Sequence, residues 1–153
     1  LRRINRGHTY EQAEEAVRKT AERGILVGAH VILGLPGETH DALLLQAQRL
    51  STLPLTTLKL HQLQLMKGTR MANEYAQHPE DFHLFELDEY VDMVVDYIQH
   101  LRPDLVLERF VSQSPTDLRI APHWGLKNHE FNVLVQKKMK TLGVFQGKQY
   151  FCQ

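Results

Sequence analysis

The stretch His30-Val31-Ile32-Leu33-Gly34-Leu35-Pro36-Gly37-Glu38-Thr39 constrains this chain more than any other. An apolar run from Ile25 to Leu33 ends in a glycine-proline-glycine loop, and a helix-like pattern with Leu43, Leu44, Ala47, Leu50 and Leu53 follows. A near-continuous apolar run suits a strand buried on both faces. A strand, a tight loop and a helix in succession make up a parallel α/β unit, in which ligands bind beyond the carboxyl ends of the strands.

The rest of the chain repeats the alternation. Thr9-Tyr10-Glu11-Gln12 reads as a capping box opening a helix over 9–23, with Gly24 as its terminator. Leu58, Leu60, Leu63 and Leu65 give a strand over 57–65 whose register changes between Leu60 and Leu63, as at a bulge. A short helix is expected from about Thr69 to Tyr75 and a strongly amphipathic one from Leu87 to Leu101, stopped by Pro103. A third strand at 105–110, a loop-rich stretch over 112–128 and a final helix from Phe131 to Gly143 complete the order. Strand–helix alternation implies parallel strands with right-handed crossovers. Three strands cannot close a barrel, which takes about eight. The expected fold is therefore an α/β partial barrel, or a small open sheet, of about three parallel strands with flanking helices.

Composition excludes several classes. The 153 residues hold 18 basic and 18 acidic side chains, so no strong field favours nucleic acid or an anionic membrane, and Lys137, Lys138 and Lys140 read as a solvated helix face. No apolar run reaches membrane-span length. The single cysteine, Cys152, rules out a disulfide within the chain and points to a reducing, cytoplasmic setting; it also cannot ligate an iron–sulfur cluster alone.

Taken singly, the candidate residues allow plain readings. The Gly34–Gly37 loop could present backbone N–H groups to an anion or nucleotide, or be a tight turn; it is not a Walker loop. His8, His30, His61 and His123 are scattered, without metal-ligand spacing, and His30 reads as a neutral core histidine. Glu108-Arg109 suits an ion pair or a substrate contact, and Trp124 suits core packing. No catalytic triad can be placed.

The order of motifs is more specific. Ile4-Asn5-Arg6-Gly7-His8, a capped helix, Val31 to Thr39, and then Leu58-Lys59-Leu60-His61-Gln62-Leu63-Gln64-Leu65-Met66-Lys67-Gly68-Thr69 resemble the second half of a radical S-adenosylmethionine core. Among its members the chain is most similar to the group of oxygen-independent coproporphyrinogen oxidases and Elongator-type proteins. Glu108-Arg109-Phe110, Ser114-Pro115 and Pro122-His123-Trp124-Gly125, with Lys127 after Leu126, resemble a bacterial branch of that group.

The resemblance implies a parent enzyme in which a 4Fe-4S cluster on a CxxxCxxC loop reductively cleaves S-adenosylmethionine to a 5′-deoxyadenosyl radical. It implies S-adenosylmethionine contacts from Arg6, His30 (where some relatives place an aspartate), Ile32 beside the adenine, Gly34, Leu65 and Met66. Independently of the resemblance, Arg109, His123, Trp124 and Lys127 are the substrate candidates, because they flank the C-terminal end of the third strand. Residues 1–57 would belong to the core, 58–151 to its last strand and a C-terminal extension, and 152–153 to a tail.

The CxxxCxxC motif is absent, so the chain reads as a C-terminal fragment whose partner is the N-terminal half of the barrel. Its uncovered edge is expected to favour a homodimer. The substrate is open, with the Elongator-type likeness hinting at tRNA and the neutral charge opposing a stand-alone nucleic-acid module. The alternative reading is a non-catalytic nucleotide-binding or oligomerisation domain.

Overall fold

The computed structural model describes residues 4–151, so Cys152 lies outside the described residues. The chain runs α1 (Tyr10–Ala21), β1 (Gly28–Leu33), α2 (His40–Ser51), β2 (Thr57–Gln62), β3 (Leu65–Met66), α3 (Arg70–Gln77), α4 (Leu87–His100), β4 (Val106–Arg109), β5 (Arg119–Ala121) and α5 (Asn128–Leu142). Three strands form a parallel sheet in the order β1-β2-β4, as the alternation requires.

Local chemistry sets the helix ends. The Thr9 side chain accepts from the Gln12 backbone, and Gln12 Oε1 accepts from the Thr9 N–H at 2.8 Å, forming the expected capping box. Thr39 and Thr69 cap α2 and α3 through the threonine side chain alone, and Gly143 closes α5 in the left-handed region. Arg23 separates Gly24 from the Glu22 cap of α1, and Gly24 takes a φ of 75°.

Two expectations about strands need correction. β1 starts at Gly28, because Ile25 and Leu26 are 56 and 80 % exposed. It is not buried on both faces: Val31 and Leu33 are covered, whereas His30 and Ile32 are exposed. β2 alternates likewise, with Leu58 and Leu60 fully buried and Thr57, Lys59 and His61 half-buried on the other face. The covered face packs against α2, α4 and α5 in one core that includes Leu43, Ala47, Tyr90, Val94, Ile98, Phe131 and Val135. Hence the period-2 signal was present, and apolar Ile32 concealed it in β1.

The expected strand over 57–65 also divides. After Gln62 the chain leaves the parallel sheet, and Leu65–Met66 form an antiparallel pair with Arg119–Ala121. The change of alternation beyond Leu60 therefore marks a change of sheet, not a bulge. This small sheet roofs a second core of Leu63, Leu65 and Phe82. A bulge does occur on the β4 side: Leu58 pairs with Leu107 but Lys59 pairs with Arg109, leaving Glu108 as the extra residue.

Candidate functional site

The second face of the sheet carries His30 and Ile32 from β1, Lys59 and His61 from β2, and the bulged Glu108-Arg109 end of β4. Alternation puts these polar groups on one face because Leu58, Leu60, Val31 and Leu33 fill the other. Along the free edge of β1 and out to the carboxyl end of the sheet this face opens into a cavity of about 700 Å³, which α1 and the end of α2 also line. The N-terminal segment (Ile4, Arg6, His8), the two histidines, Ile32, Leu63, Met66 and the loop after β4 (Ser112, Gln113, Ser114) line it.

His61 is the most constrained group here. Its ring stacks on His30 with centroids 5.4 Å apart and planes 24° from parallel. Its Nδ1 lies 2.6 Å from Ser112 Oγ. Ser112 is itself fixed, donating its N–H to Gln62 Oε1 at 2.8 Å and accepting from Gln64 Nε2 at 3.3 Å. Burial, then His30, Arg109 and Lys59, lower the imidazole pKa, so the neutral form is favoured at neutral pH. His61 Nε2, Ser114 Oγ and the Tyr10 hydroxyl are buried polar atoms without a hydrogen-bond partner among the described residues. All three residues line the cavity.

Charges on this face are arranged by the bulge. Lys59 Nζ lies 3.0 Å from Glu108 Oε2. Thr57 and Lys59, both bonded to the Glu108 carboxyl, hold its pKa below the ordinary carboxylate value. Of the two readings left open for Glu108-Arg109, an ion pair forms for Glu108, and it runs across strands to Lys59. His30 is exposed on this face, not a core histidine, because alternation along β1 sends Val31 and Leu33 to the covered face.

Of the two readings of the glycine loop, the tight turn is the one formed, closed by the Glu38 N–H on the Leu35 carbonyl at 3.0 Å. Glu38 Oε2 accepts from the Gly34 and Leu35 N–H groups at 3.1 and 2.9 Å, so the chain's own carboxylate occupies these donors instead of an external anion. Gly34 has a φ of 88°, and a Cβ there would sit 2.9 Å from the Phe85 ring. Gly34 lines a separate cavity of about 520 Å³ among Glu38, His40, Phe85, Asp92 and Asp96.

Burial is the largest influence on Glu38 and raises its pKa, with the Leu35 and Gly34 bonds opposing it. A carboxyl with a raised folded-state pKa binds more protons folded than unfolded, so its contribution to stability falls as pH rises from the ordinary carboxylate value through the raised one. Glu38→Gln is expected to remove that fall while the ordinary carboxylates elsewhere continue to titrate. Urea midpoints of both proteins across the weakly acidic range check this; parallel curves would contradict it.

The structure brings together Arg6, His30, Ile32 and Met66 around the larger cavity. Gly34 faces the other cavity, and the Leu65 side chain is fully buried in the second core. Of the substrate candidates, only Arg109 belongs to the open face of the sheet. Trp124 packs against Tyr90 and Phe131 with centroids 5.1 and 6.3 Å away, behind the sheet. His123 Nε2 lies 3.0 Å from the Ile120 carbonyl on the surface. Lys127 is the N-cap of α5, its N–H bonded to Glu130 at 2.7 Å. His61, Ser112 and Ser114 were not among the residues the sequence singled out for the site. The signal for His61 was its strand position, in phase with Lys59 and out of phase with Leu58 and Leu60.

Among the described residues no cluster of three or more His, Cys, Asp or Glu side chains could hold a metal ion, and no helix is long and apolar enough to cross a membrane. A polar sheet face with a cavity at its carboxyl end, backed by helices on the other side, defines an open α/β half-barrel. The chain belongs to the radical SAM C-terminal domain family, whose model matches residues 55–141. It is 32 % identical over 145 residues to the uncharacterised YtqA of Bacillus subtilis, covering 95 % of this chain and 44 % of that protein. It is 30 % identical over 149 residues to MJ0486 of Methanocaldococcus jannaschii, covering 97 % of this chain and 46 % of that one. The chain thus spans less than half the length of these relatives. Its fold matches archaeal Elp3 of Methanocaldococcus infernus, solved without its N-terminal residues 1–46, with a TM-score of 0.82 and 17 % identity, over 95 % of this chain and 34 % of the other. The expected α/β class, with three parallel strands and flanking helices as part of a radical SAM-type protein, is therefore correct.

Proposed function

We propose that the chain supplies the C-terminal half of the S-adenosylmethionine pocket of a radical enzyme acting in a reducing cytoplasm. One observation carries this: Arg6, His30, Ile32 and Met66, drawn from three separate segments, meet at one cavity that reaches the carboxyl end of the parallel sheet. The residues fit such a molecule. Ile32, Leu35, Leu63 and Met66 offer apolar surface for a purine. The Arg6 guanidinium suits a carboxylate or ribose oxygen, and the unpartnered polar atoms of His61, Ser114 and Tyr10 could take further hydrogen bonds. Bound beside a reduced cluster, such a molecule would supply radical hydrogen-abstraction chemistry. This chain's part is to hold and orient the nucleoside end and to exclude water from it.

The described residues do not fit the 4Fe-4S cluster, so its ligands are assigned to the part of the parent beyond this chain. In this reading residues 1–57 carry most of the nucleoside contacts, and 58–151 the last core strand and the extension. Among the described residues β1 pairs only with β2, so its outer edge suits a strand of the N-terminal half, or of a second copy in a homodimer.

The test is a titration of the isotopically labelled chain with S-adenosylhomocysteine, read by backbone amide shifts. Perturbation at Arg6, His30, Ile32 and Met66 together is expected. Perturbation confined to the α4–α5 side, or none, would refute the pocket. A non-catalytic nucleotide-binding domain would respond equally to adenosine monophosphate, whereas the proposal expects a preference for the amino-acid-bearing nucleoside.

A further inference from the structure

The inner face of the sheet is richer in cations than its neutral chain requires. His30, Lys59 and Arg109 are cross-strand partners on one rung, and Ile32 and His61 occupy the next. The extra residue of the β4 bulge, Glu108, neutralises Lys59. No partner for Arg109 occurs among the described residues, and it is the cross-strand partner of Lys59, two residues before His61 on the same face of the sheet. Apart from Glu108, the carboxylate associated with this region is Glu14, across the cavity on α1. Meanwhile His61 is clamped by Ser112 at Nδ1 and stacked on His30, so its orientation is set before anything binds. The nitrogen left over, Nε2, is buried without a partner among the described residues. A buried unpaired polar atom is costly, and a locked imidazole beside an uncompensated guanidinium is a ready-made pair of donors for an anionic oxygen.

We infer that His61, positioned by Ser112, and Arg109 together recognise a carboxylate or phosphate group of the substrate. The inference rests on the reading of this face as the interior of a radical enzyme's barrel. In it the Ser112 hydroxyl donates to His61 Nδ1, which makes Nε2–H the donor facing the anion. Arg109 contributes the charge, and its planar fork suits two anionic oxygens at once. The stacked His30 covers the other side of the ring. His61 and Arg109 would touch the substrate, whereas Ser112 acts through His61 and is a positioning residue.

The experiment uses the labelled chain and long-range proton–nitrogen spectra of its histidines, which report tautomer and protonation separately. Inorganic phosphate and acetate are added against chloride at matched ionic strength. The expected result is a saturable shift at His61 Nε2 and a rise of its pKa, because a bound anion favours the imidazolium. Arg109→Gln should weaken the phosphate response by roughly tenfold, while Arg109→Lys keeps part of it. Ser112→Ala should redistribute the His61 tautomers without removing the response, and Lys137→Gln on α5 should change neither. A preference for phosphate over acetate assigns the phosphate source, and the reverse order the carboxylate.

The proposal is overturned if both anions act no differently from chloride, or if Arg109→Gln responds as fully as the parent chain. His61→Gln gives a second route: a phosphate response at the Arg109 side chain that is unchanged in this variant also overturns it. S-adenosylhomocysteine added to the same samples keeps the two readings apart. Shifts at Ile32 and Met66 without an anion response at His61 retain the pocket and reject the anion site. An anion response without those shifts does the opposite. Displacement of phosphate from His61 by S-adenosylhomocysteine would assign the anion to the cofactor and overturn the substrate assignment.

Discussion

Phe131→Ala is expected to lower the stability of the chain by about 3–5 kcal/mol. Phe131 is fully buried at the start of α5 and belongs to the main core. Its ring meets Tyr90 at 5.4 Å, Trp124 at 6.3 Å and Phe110 at 6.5 Å between centroids, so it joins α4, the loop after β5 and the end of β4. Truncation removes the burial of a whole aromatic ring and leaves a cavity that three large rings on different elements cannot easily close. The same chemical change at Phe145, which is 62 % exposed, should stay within about 0.5 kcal/mol. Urea unfolding followed by tryptophan fluorescence gives both values, since the one tryptophan, Trp124, lies in the affected cluster. Equal midpoints for the two variants would contradict the packing described.

Arg102→Ala is expected to cost about 2–4 kcal/mol, the range for losing two charge-assisted bonds to buried carbonyls. Arg102 follows α4 and is half-buried. Its guanidinium donates Nη1 to the Leu53 carbonyl at 3.0 Å and Nη2 to that of Leu55, pinning the α2–β2 connection. Leu53 and Leu55 are 3 and 2 % exposed, so water cannot readily replace the lost donors. Its own N–H bonds Ser51 Oγ at 2.9 Å and its carbonyl accepts from Gln146 at 2.9 Å, which ties the chain's last segment to the same point. Arg102→Lys should recover less than half of the loss, because a point ammonium cannot span two carbonyls as a planar fork does. Full recovery by lysine in the same unfolding assay would show that charge alone matters there.

What the sequence revealed follows the range of each interaction. The capping box at Thr9 and Gln12 and the Gly143 terminator involve neighbours three or four residues apart, and both were legible. Leu87 to Leu101 gave its helix because one side is buried along its length. The antiparallel rung of Leu65 with Ala121 was not legible, since two residues carry no period and their partner is remote in sequence. The length of β1 was overstated because Ile25 and Leu26 are apolar yet exposed. At the site, the motif order indicated Arg6, His30, Ile32 and Met66, which the fold gathers at one cavity. Trp124 and Lys127 were candidates because they follow the C-terminal end of the third strand in sequence, but they are held elsewhere by an aromatic cluster and a helix cap. The His61–Ser112 contact spans 51 residues and depends on the β4 loop folding back over the sheet, which no local pattern encodes.

The central claim is that this chain forms the cofactor-holding half of a radical enzyme. It is tested most directly in the parent protein, purified without oxygen and reconstituted with iron and sulfide. The account predicts that dithionite and S-adenosylmethionine yield 5′-deoxyadenosine, and that Ile32→Asp, which sets a charge against the purine, lowers that yield at least about tenfold while the iron content is unchanged. Iron-loaded parent protein that forms no 5′-deoxyadenosine, or an Ile32→Asp variant as active as its parent, would contradict it.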